Sequence, residues 1–294
     1  MKITLWGTRG SLASPGPETA RYGGNTSCVE VRGGDGTVLV LDAGTGIRRL
    51  GATLPKTLRR VDVLLTHLHM DHIQGLGFFA PLRNPNVEVH IWGPASVTLG
   101  LRARLSRYLS PPLFPVHLRD MPSTVCLHEV PCAEFDVGEF HINSSLVCHP
   151  DPTVGYRIMT PDGVVVYLPD HEPALGAQQF PLSQDWTSGC ALAENADLLI
   201  HDAQYTPQEY EDRVGFGHSS LPQAFEFGAL AGVKHFVPFH HDPAHSDDDL
   251  DRLIAETVTA VKPPFQITPG AEGTTFALGT AEGTPGTKGN SGTG

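Results

Sequence analysis

The chain has 294 residues, 40% of them hydrophobic and 18% charged, with a formal net charge of −12, which is enough apolar material for a globular core. No apolar run approaches the roughly 20 residues that a membrane span needs, and the opening MKITLWGTRGS lacks the apolar stretch of a signal peptide, so a cytoplasmic location without membrane contact is expected. The acidic balance works against a large nucleic-acid footprint, which draws on many Lys and Arg contacts to phosphate, but it leaves room for a small phosphate ligand.

In chain order, KITLWG predicts a first strand, after which Gly7 to Ser27 is too dense in Gly and Pro for a regular element. That loop carries Arg9, Arg21 and Asn25, either as groups that meet phosphate or as parts of a structural crossing. Ser27 to Val31 and Thr37 to Leu41 read as a hairpin around Gly33-Gly34-Asp35-Gly36. Val61 to Thr66 is an apolar strand that runs into a histidine cluster, followed by the helix-like IQGLGFFAPL. Ser96 to Tyr108 predicts a helix bearing Arg102, Arg104 and Arg107, and the stretch after it, YLSPPLF, reads as a lid offering aromatics to a base, as a dimer contact, or as a rigid proline loop. Further strands are expected at Val164 to Leu168, Asp197 to Ile200 and Lys234 to Phe239, and further helices at Leu221 to Ala231 and Ser246 to Val261, the last with Ser-Asp-Asp-Asp as its cap.

Strands alternating with helices, with hairpins added, imply an α/β protein of mixed sheets covered by helices. No repeat of fixed period is visible. Residues 1–280 are expected to form one domain, and AEGTPGTKGNSGTG (281–294) a disordered tail. The five cysteines, Cys28, Cys126, Cys132, Cys148 and Cys190, include no CxxC pair and read as reduced core residues.

Four strands end in ionisable residues: the one before His67, and those that lead into Asp170, into His201-Asp202 and into His240-His241. Open sheets place their chemistry at such ends. The strongest signal is His67-x-His69-x-Asp71-His72, because imidazole and carboxylate are the donors that suit zinc and related divalent ions. Residues two apart in extended backbone point the same way, so His67 and His69 can grip one ion while Asp71 and His72, past the turn, grip another. The bland alternative is a histidine-rich surface loop.

The sequence resembles the metallo-β-lactamase superfamily, whose five motifs appear in order: Asp42 in LDAGTG, His67 to His72, His149, Asp170 in YLPDHE, and His240. The resemblance implies a four-layer αββα sandwich of two mixed sheets flanked by helices, and a pair of divalent metal ions, zinc or alternatively Mn2+ or Fe2+. It further implies that His67, His69 and His149 hold the first ion, that Asp71, His72 and His240 hold the second, and that Asp170 bridges them. Asp42 would orient a ligand histidine. His240 competes with His241 for the last position, since alternation lets only one face the metals. His171, His201 and His245 are left as neighbours of the site or surface residues.

A second resemblance is carried by LIHDA (199–203), by Gly217-His218-Ser219-Ser220, and by AFEFGALAGVKHFVPFHH, which look like the C-terminal half of ribonuclease Z and related phosphodiesterases. It implies that Asp202 and His218 act together on a phosphate, although a serine of the same segment also reads as a helix cap. Asp71 would orient the attacking water, which makes Asp71, His218 and Asp202 the catalytic candidates. Ribonuclease Z enzymes of the commonest type carry a Gly/Pro-rich tRNA-binding arm between the third and fourth motifs, whereas His149 and Asp170 lie 21 positions apart here. The expected substrate is therefore a small or cyclic phosphodiester, such as a cyclic nucleotide or a ribose cyclic phosphate, attacked by hydroxide formed at the metal pair. A tRNA 3′-end endonuclease, a thioesterase or lactonase of the same fold, and a non-catalytic metal-containing sensor are the alternatives, and a homodimer is compatible with all of them. His69 stands where the flavodiiron branch carries glutamate, which argues against redox chemistry.

Overall fold

The computed structural model describes residues 1–279 apart from Pro131 and Gln178; the expected disordered tail, 281–294, lies outside the described residues. Runs rich in Val, Ile and Leu build two sheets from opposite halves of the chain. The first half supplies β1 (Lys2–Gly7), β2 (Cys28–Arg32), β3 (Val38–Leu41), β4 (Arg60–Leu64), β5 (Glu88–Pro94) and β6 (Thr124–Val130), with α1 (Ile47–Thr53), α2 (Met70–Ile73) and α3 (Leu101–Tyr108) between them. The second half supplies β7 (Glu134–Val137), β8 (Phe140–Leu146), β9 (Val154–Thr160), β10 (Gly163–Leu168), β11 (Leu198–Asp202), β12 (His235–Phe239) and β13 (Gln266–Ile267), with α4 (Cys190–Ala193), α5 (Pro207–Glu211), α6 (Leu221–Ala231) and α7 (Asp247–Val261). A last strand, β14 (Thr275–Ala277), returns to the first sheet.

Each sheet has seven strands, ordered β14-β1-β2-β3-β4-β5-β6 and β13-β12-β11-β10-β9-β8-β7. In the first, three antiparallel pairings from β14 to β3 give way to three parallel ones from β3 to β6. In the second, β7 to β10 are antiparallel and β10 to β13 parallel. The two halves thus repeat one pattern of pairing, a symmetry that the sequence does not display.

Side chains such as Ile3, Leu41, Tyr156, Tyr167, Leu198 and Phe239 fill the space between the sheets. On the outer face of the first sheet, Ile47 and Leu50 of α1 and Leu101 and Leu105 of α3 pack on Val61, Val63 and Ile91. Phe225 and Phe227 of α6 and Ile254 of α7 cover Val166, Leu199 and Phe236 of the second. Each such buried Leu, Ile or Phe contributes about 1.5–3 kcal/mol over an exposed one. The result is the expected αββα sandwich. Polar ties lock the two sheets in register at one end: the Tyr156 hydroxyl donates to the Leu65 carbonyl at 2.7 Å, and the Val154 N–H to the Thr66 carbonyl at 2.9 Å.

Three expectations need correction. The helix expected from Ser96 starts only at Leu101, because Gly100 is extended and the Leu101 N–H is taken by Glu129 at 3.1 Å. IQGLGFFAPL is no continuous helix but two short 3-10 turns, Leu76–Phe78 and Ala80–Arg83, separated by extended Phe79. Of the cysteines, all free, Cys28 and Cys190 are buried whereas Cys132 is exposed. Among the described residues no helix is long and apolar enough to cross a membrane.

Candidate metal centre

Strands β3, β4, β10, β11 and β12 end at or just before Asp42, His67, Asp170, Asp202 and His240. The loop after β8 adds His149, and the segment before α6 adds His218. Local geometry there is strained: among the described residues, Ser11, Asp42, Asp151 and His240 are four of the six non-glycine residues with positive φ. Such conformations persist only where the surroundings over-determine them.

Donor atoms of His67, His69, His149 and Asp170 form one group, and those of Asp71, His72, Asp170 and His240 a second, with the atoms of each group lying within 4.8 Å of one another. Asp170 belongs to both. Its Oδ2 lies 3.7 Å from the Nε2 atoms of His67 and His149, while Oδ1 lies 3.0 Å from His72 Nε2 and 3.2 Å from His240 Nε2. Asp71 Oδ2 lies 3.2 Å and 3.1 Å from those same two rings.

His69 turns Nδ1 towards His149 Nε2 at 3.2 Å, but for four other rings the partner of Nδ1 explains why Nε2 faces inward. His72 Nδ1 donates to Asp42 at 2.7 Å, His149 Nδ1 to the Gly217 carbonyl at 2.8 Å, and His240 Nδ1 to the Gln204 side-chain carbonyl at 2.8 Å. His67 Nδ1 meets Thr66 Oγ1 at 3.0 Å, a hydroxyl that itself donates to Asp42. A ring whose Nδ1 carries the proton keeps a bare Nε2 lone pair, the form that binds metal.

The donor set fits divalent cations. His67 Nε2 and Asp170 Oδ1 are fully buried and lack a hydrogen bond of acceptable geometry, an arrangement that costs stability unless something else satisfies them. Burial holds His67 well below its ordinary pKa, and therefore neutral. Burial alone would raise Asp71 and Asp170, but the surrounding histidine rings outweigh it and keep both carboxylates ionised. Burial likewise opposes charge on His72, yet Asp170, Asp71 and Asp42 raise its pKa well above normal. Those three carboxylates surround His72 with negative charge, a setting suited to a cation. Mixed imidazole and carboxylate donors do not by themselves select one metal.

Next to the second group, Asp202, His218 and His240 form a third. His218 Nδ1 donates to Asp202 at 2.6 Å, and its ring stacks on His240 with centroids 5.0 Å apart. Burial works against the His218 cation, but the charge and hydrogen bond of Asp202 outweigh it and raise the pKa to about 9. Asp202 is fixed by the N–H groups of Gln204 and Ser219, both at 3.1 Å. Ser220, not Ser219, caps α6.

Two residues of the site lie outside any motif, and the role of a third, Glu172, is not given by the YLPDHE motif that contains it. Gln204 orients His240; Ser11 donates its N–H to Asp71 Oδ2 at 2.8 Å; and Glu172 accepts from the N–H groups of Gly215 and Gly217, holding the His218 segment. The nearest available signals were proximity in sequence, Gln204 being two residues from Asp202 and Glu172 two from Asp170.

His241 turns away from the groups and pairs with the Gly270 carbonyl at 2.8 Å. His171 and His201 pair with each other, and His245 pairs with Glu209. The polar residues singled out in the opening loop serve structure: Arg9 is buried and bonds Gly23, Asp242, His245 and Asp247, Arg21 pairs with Asp248 and Asp251, and Asn25 bonds Glu272. They are spent on protein partners, so the phosphate-binding reading of that loop is set aside.

Among curated proteins, the chain is 25% identical over 285 residues to ribonuclease Z of Thermococcus onnurineus, covering 83% of this chain and 87% of that one. It is 29% identical over 261 residues to ribonuclease Z of Mycobacterium sp. strain KMS, covering 83% and 85%. Among solved structures, the metallo-β-lactamase fold protein YhfI of Bacillus subtilis superposes with a TM-score of 0.67 at 20% identity, covering 94% of this chain and 98% of that one. The family described as the β-lactamase superfamily domain matches residues 37–241, a span running from Asp42 past His240, and the chain belongs to that superfamily.

Proposed function

We propose that this metal-dependent phosphodiester hydrolase acts on a small or cyclic phosphodiester, with two divalent ions, zinc first among the candidates. His67, His69 and His149 would hold one ion, Asp71, His72 and His240 the other, and Asp170 both. When bound, such a pair supplies Lewis acidity and lowers the pKa of water towards neutrality.

The observation that carries the phosphodiester reading is the Asp202–His218 pair set against His240. Hydrolysis adds the oxygen of water to phosphorus, breaks one P–O ester bond and returns a proton to the departing alkoxide. The charge and hydrogen bond of Asp202 favour the protonated form of His218, and its Nε2 has no protein acceptor among the described residues. It is placed to donate to a phosphoryl oxygen or to the leaving group. Asp71, steadied by the Ser11 N–H, orients the water. The curated relatives support the same chemistry, since they are ribonuclease Z enzymes, and they also favour the second reading, a tRNA 3′-end endonuclease. Against that reading, the stretch from His149 to Asp170 is taken up by the β9–β10 hairpin, with no inserted arm.

The test is a screen of the metal-reconstituted protein on bis-p-nitrophenyl phosphate, cyclic nucleotides, cyclic ribose phosphates, precursor tRNA, an acyl thioester and a lactone. Small diesters should turn over, and His218→Asn should lower kcat by about a hundredfold with metal content unchanged. Turnover of only the thioester or lactone, or cleavage of precursor tRNA far faster than any small diester, defeats the proposal.

A further inference from the structure

A cavity of about 380 Å3 opens directly beside the metal centre: His69 and Asp151 line it from that side, and Arg104, Arg107 and Tyr108 of α3 line it from the other element. Its volume is that of a small-molecule site. Met70 and Leu113, 49% and 70% exposed, add apolar surface. The wall is anchored to the ligand-bearing segment, because the Tyr108 hydroxyl donates to the Gln74 carbonyl at the end of α2.

The charge of this wall is out of keeping with a chain of net −12. Several arginines elsewhere are neutralised by carboxylates, as Arg21, Arg49, Arg60 and Arg252 are. Helix α3, LRARLSRY, contains no acidic residue. Among the described residues Arg107 has no hydrogen-bond or ion-pair partner, and Arg104 donates to the Pro94 carbonyl while its Nε is buried without an acceptor. Burial lowers the pKa of Arg104, with Glu129 as the opposing charge. Among the described residues, the one carboxylate lining the cavity, Asp151, is exposed and stands 3.8 Å from His69.

A guanidinium fork matches phosphate geometry. A cyclic mononucleotide would put its only phosphate at the metal centre and leave the Arg107 fork idle. We propose that this cavity is the subsite for a second phosphate, so that the preferred substrates are phosphodiesters of an alcohol that itself bears a phosphomonoester. The inference rests on the phosphodiesterase reading, and it narrows the substrate class of that site.

The test compares the affinities of thymidine 3′,5′-bisphosphate and thymidine 5′-monophosphate for the full-length, metal-loaded protein by calorimetry. The bisphosphate should bind at least about tenfold more tightly. Arg107→Gln should reduce that ratio to within about threefold, whereas Arg102→Gln, on the same helix but outside the cavity, should preserve it. Equal affinities in the unaltered protein overturn the proposal, and so does a ratio that Arg102→Gln reduces as much as Arg107→Gln. Turnover of the p-nitrophenyl ester of thymidine 5′-phosphate is followed in parallel. If the ester is cleaved while the affinities are equal, the subsite fails and the phosphodiesterase reading stands. If the affinities differ as expected but no diester is cleaved, the subsite stands and the phosphodiesterase reading fails.

Discussion

A histidine becomes a ligand through what its other nitrogen does, and in this chain the partners of those nitrogens come from all over the sequence. His72 depends on Asp42, 30 positions away, and His240 on Gln204, 36 positions away. Replacing Gln204 with Leu removes the acceptor for His240 Nδ1 and frees the ring to turn or to change tautomer. Metal affinity of the group containing Asp71, His72 and His240 should then fall about 10- to 100-fold, as read by competition with a chelator, while the group containing His67 keeps its metal. Equal weakening of both groups would show that Gln204 serves the fold and not His240. The candidate ligand residues were legible because their types and spacing are unusual; Gln204, Ser11 and Glu172 were not, because a lone polar side chain announces no partner. The choice between His240 and His241 was equally illegible, since adjacent residues differ only in the face the backbone presents.

At the scale of elements, the loop between β1 and β2 shows how a segment without regular structure becomes part of a site. Arg9 ties it to the residues leading into α7, and its tip brings the Ser11 N–H onto Asp71. Gly10 passes so close to the centre that an added Cβ would lie 2.3 Å from His240 Nδ1. Gly10→Ala should push the tip away, break the Ser11 contact and lower kcat on a small diester by at least about tenfold, the kind of loss a small misplacement produces. Unchanged kcat would mean that Asp71 needs no support from the loop. Helix α6 matched its expected bounds because Ser220 and Gln223 form a capping box at one end and Gly232 takes a left-handed conformation at the other. Strands β5 to β9 were missed: polar residues such as His90, Glu129, Asp136, Asn143 and Arg157 interrupt them, so that they lack the continuous Val and Leu runs that mark β3 and β10.

At the scale of the whole molecule, the second sheet buries groups that water would otherwise charge. His201 is fully buried, and that burial lowers its pKa to about 4 from the ordinary 6.5. The unfolded chain therefore binds a proton that the folded chain refuses between these two values. The stability that depends on neutral His201 is whole above 6.5 and is lost as pH falls towards 4, up to roughly 3 kcal/mol. Urea melts across this window should show stability rising with pH, and His201→Gln should flatten the rise; an unaltered slope would assign it to other groups. The chain by itself determined the α/β class, the apolar strands that end in ionisable residues and the candidate donors, because periodicity and residue chemistry are local properties. Only the tertiary structure decided that two halves repeat one pairing pattern, that Asp170 faces both groups with one oxygen each, that Arg9 is a buried strut and that Arg104 and Arg107 of α3 share a cavity with His69. Those facts depend on distances between segments tens to hundreds of residues apart, which are set by how the two sheets pack and not by any stretch of sequence alone.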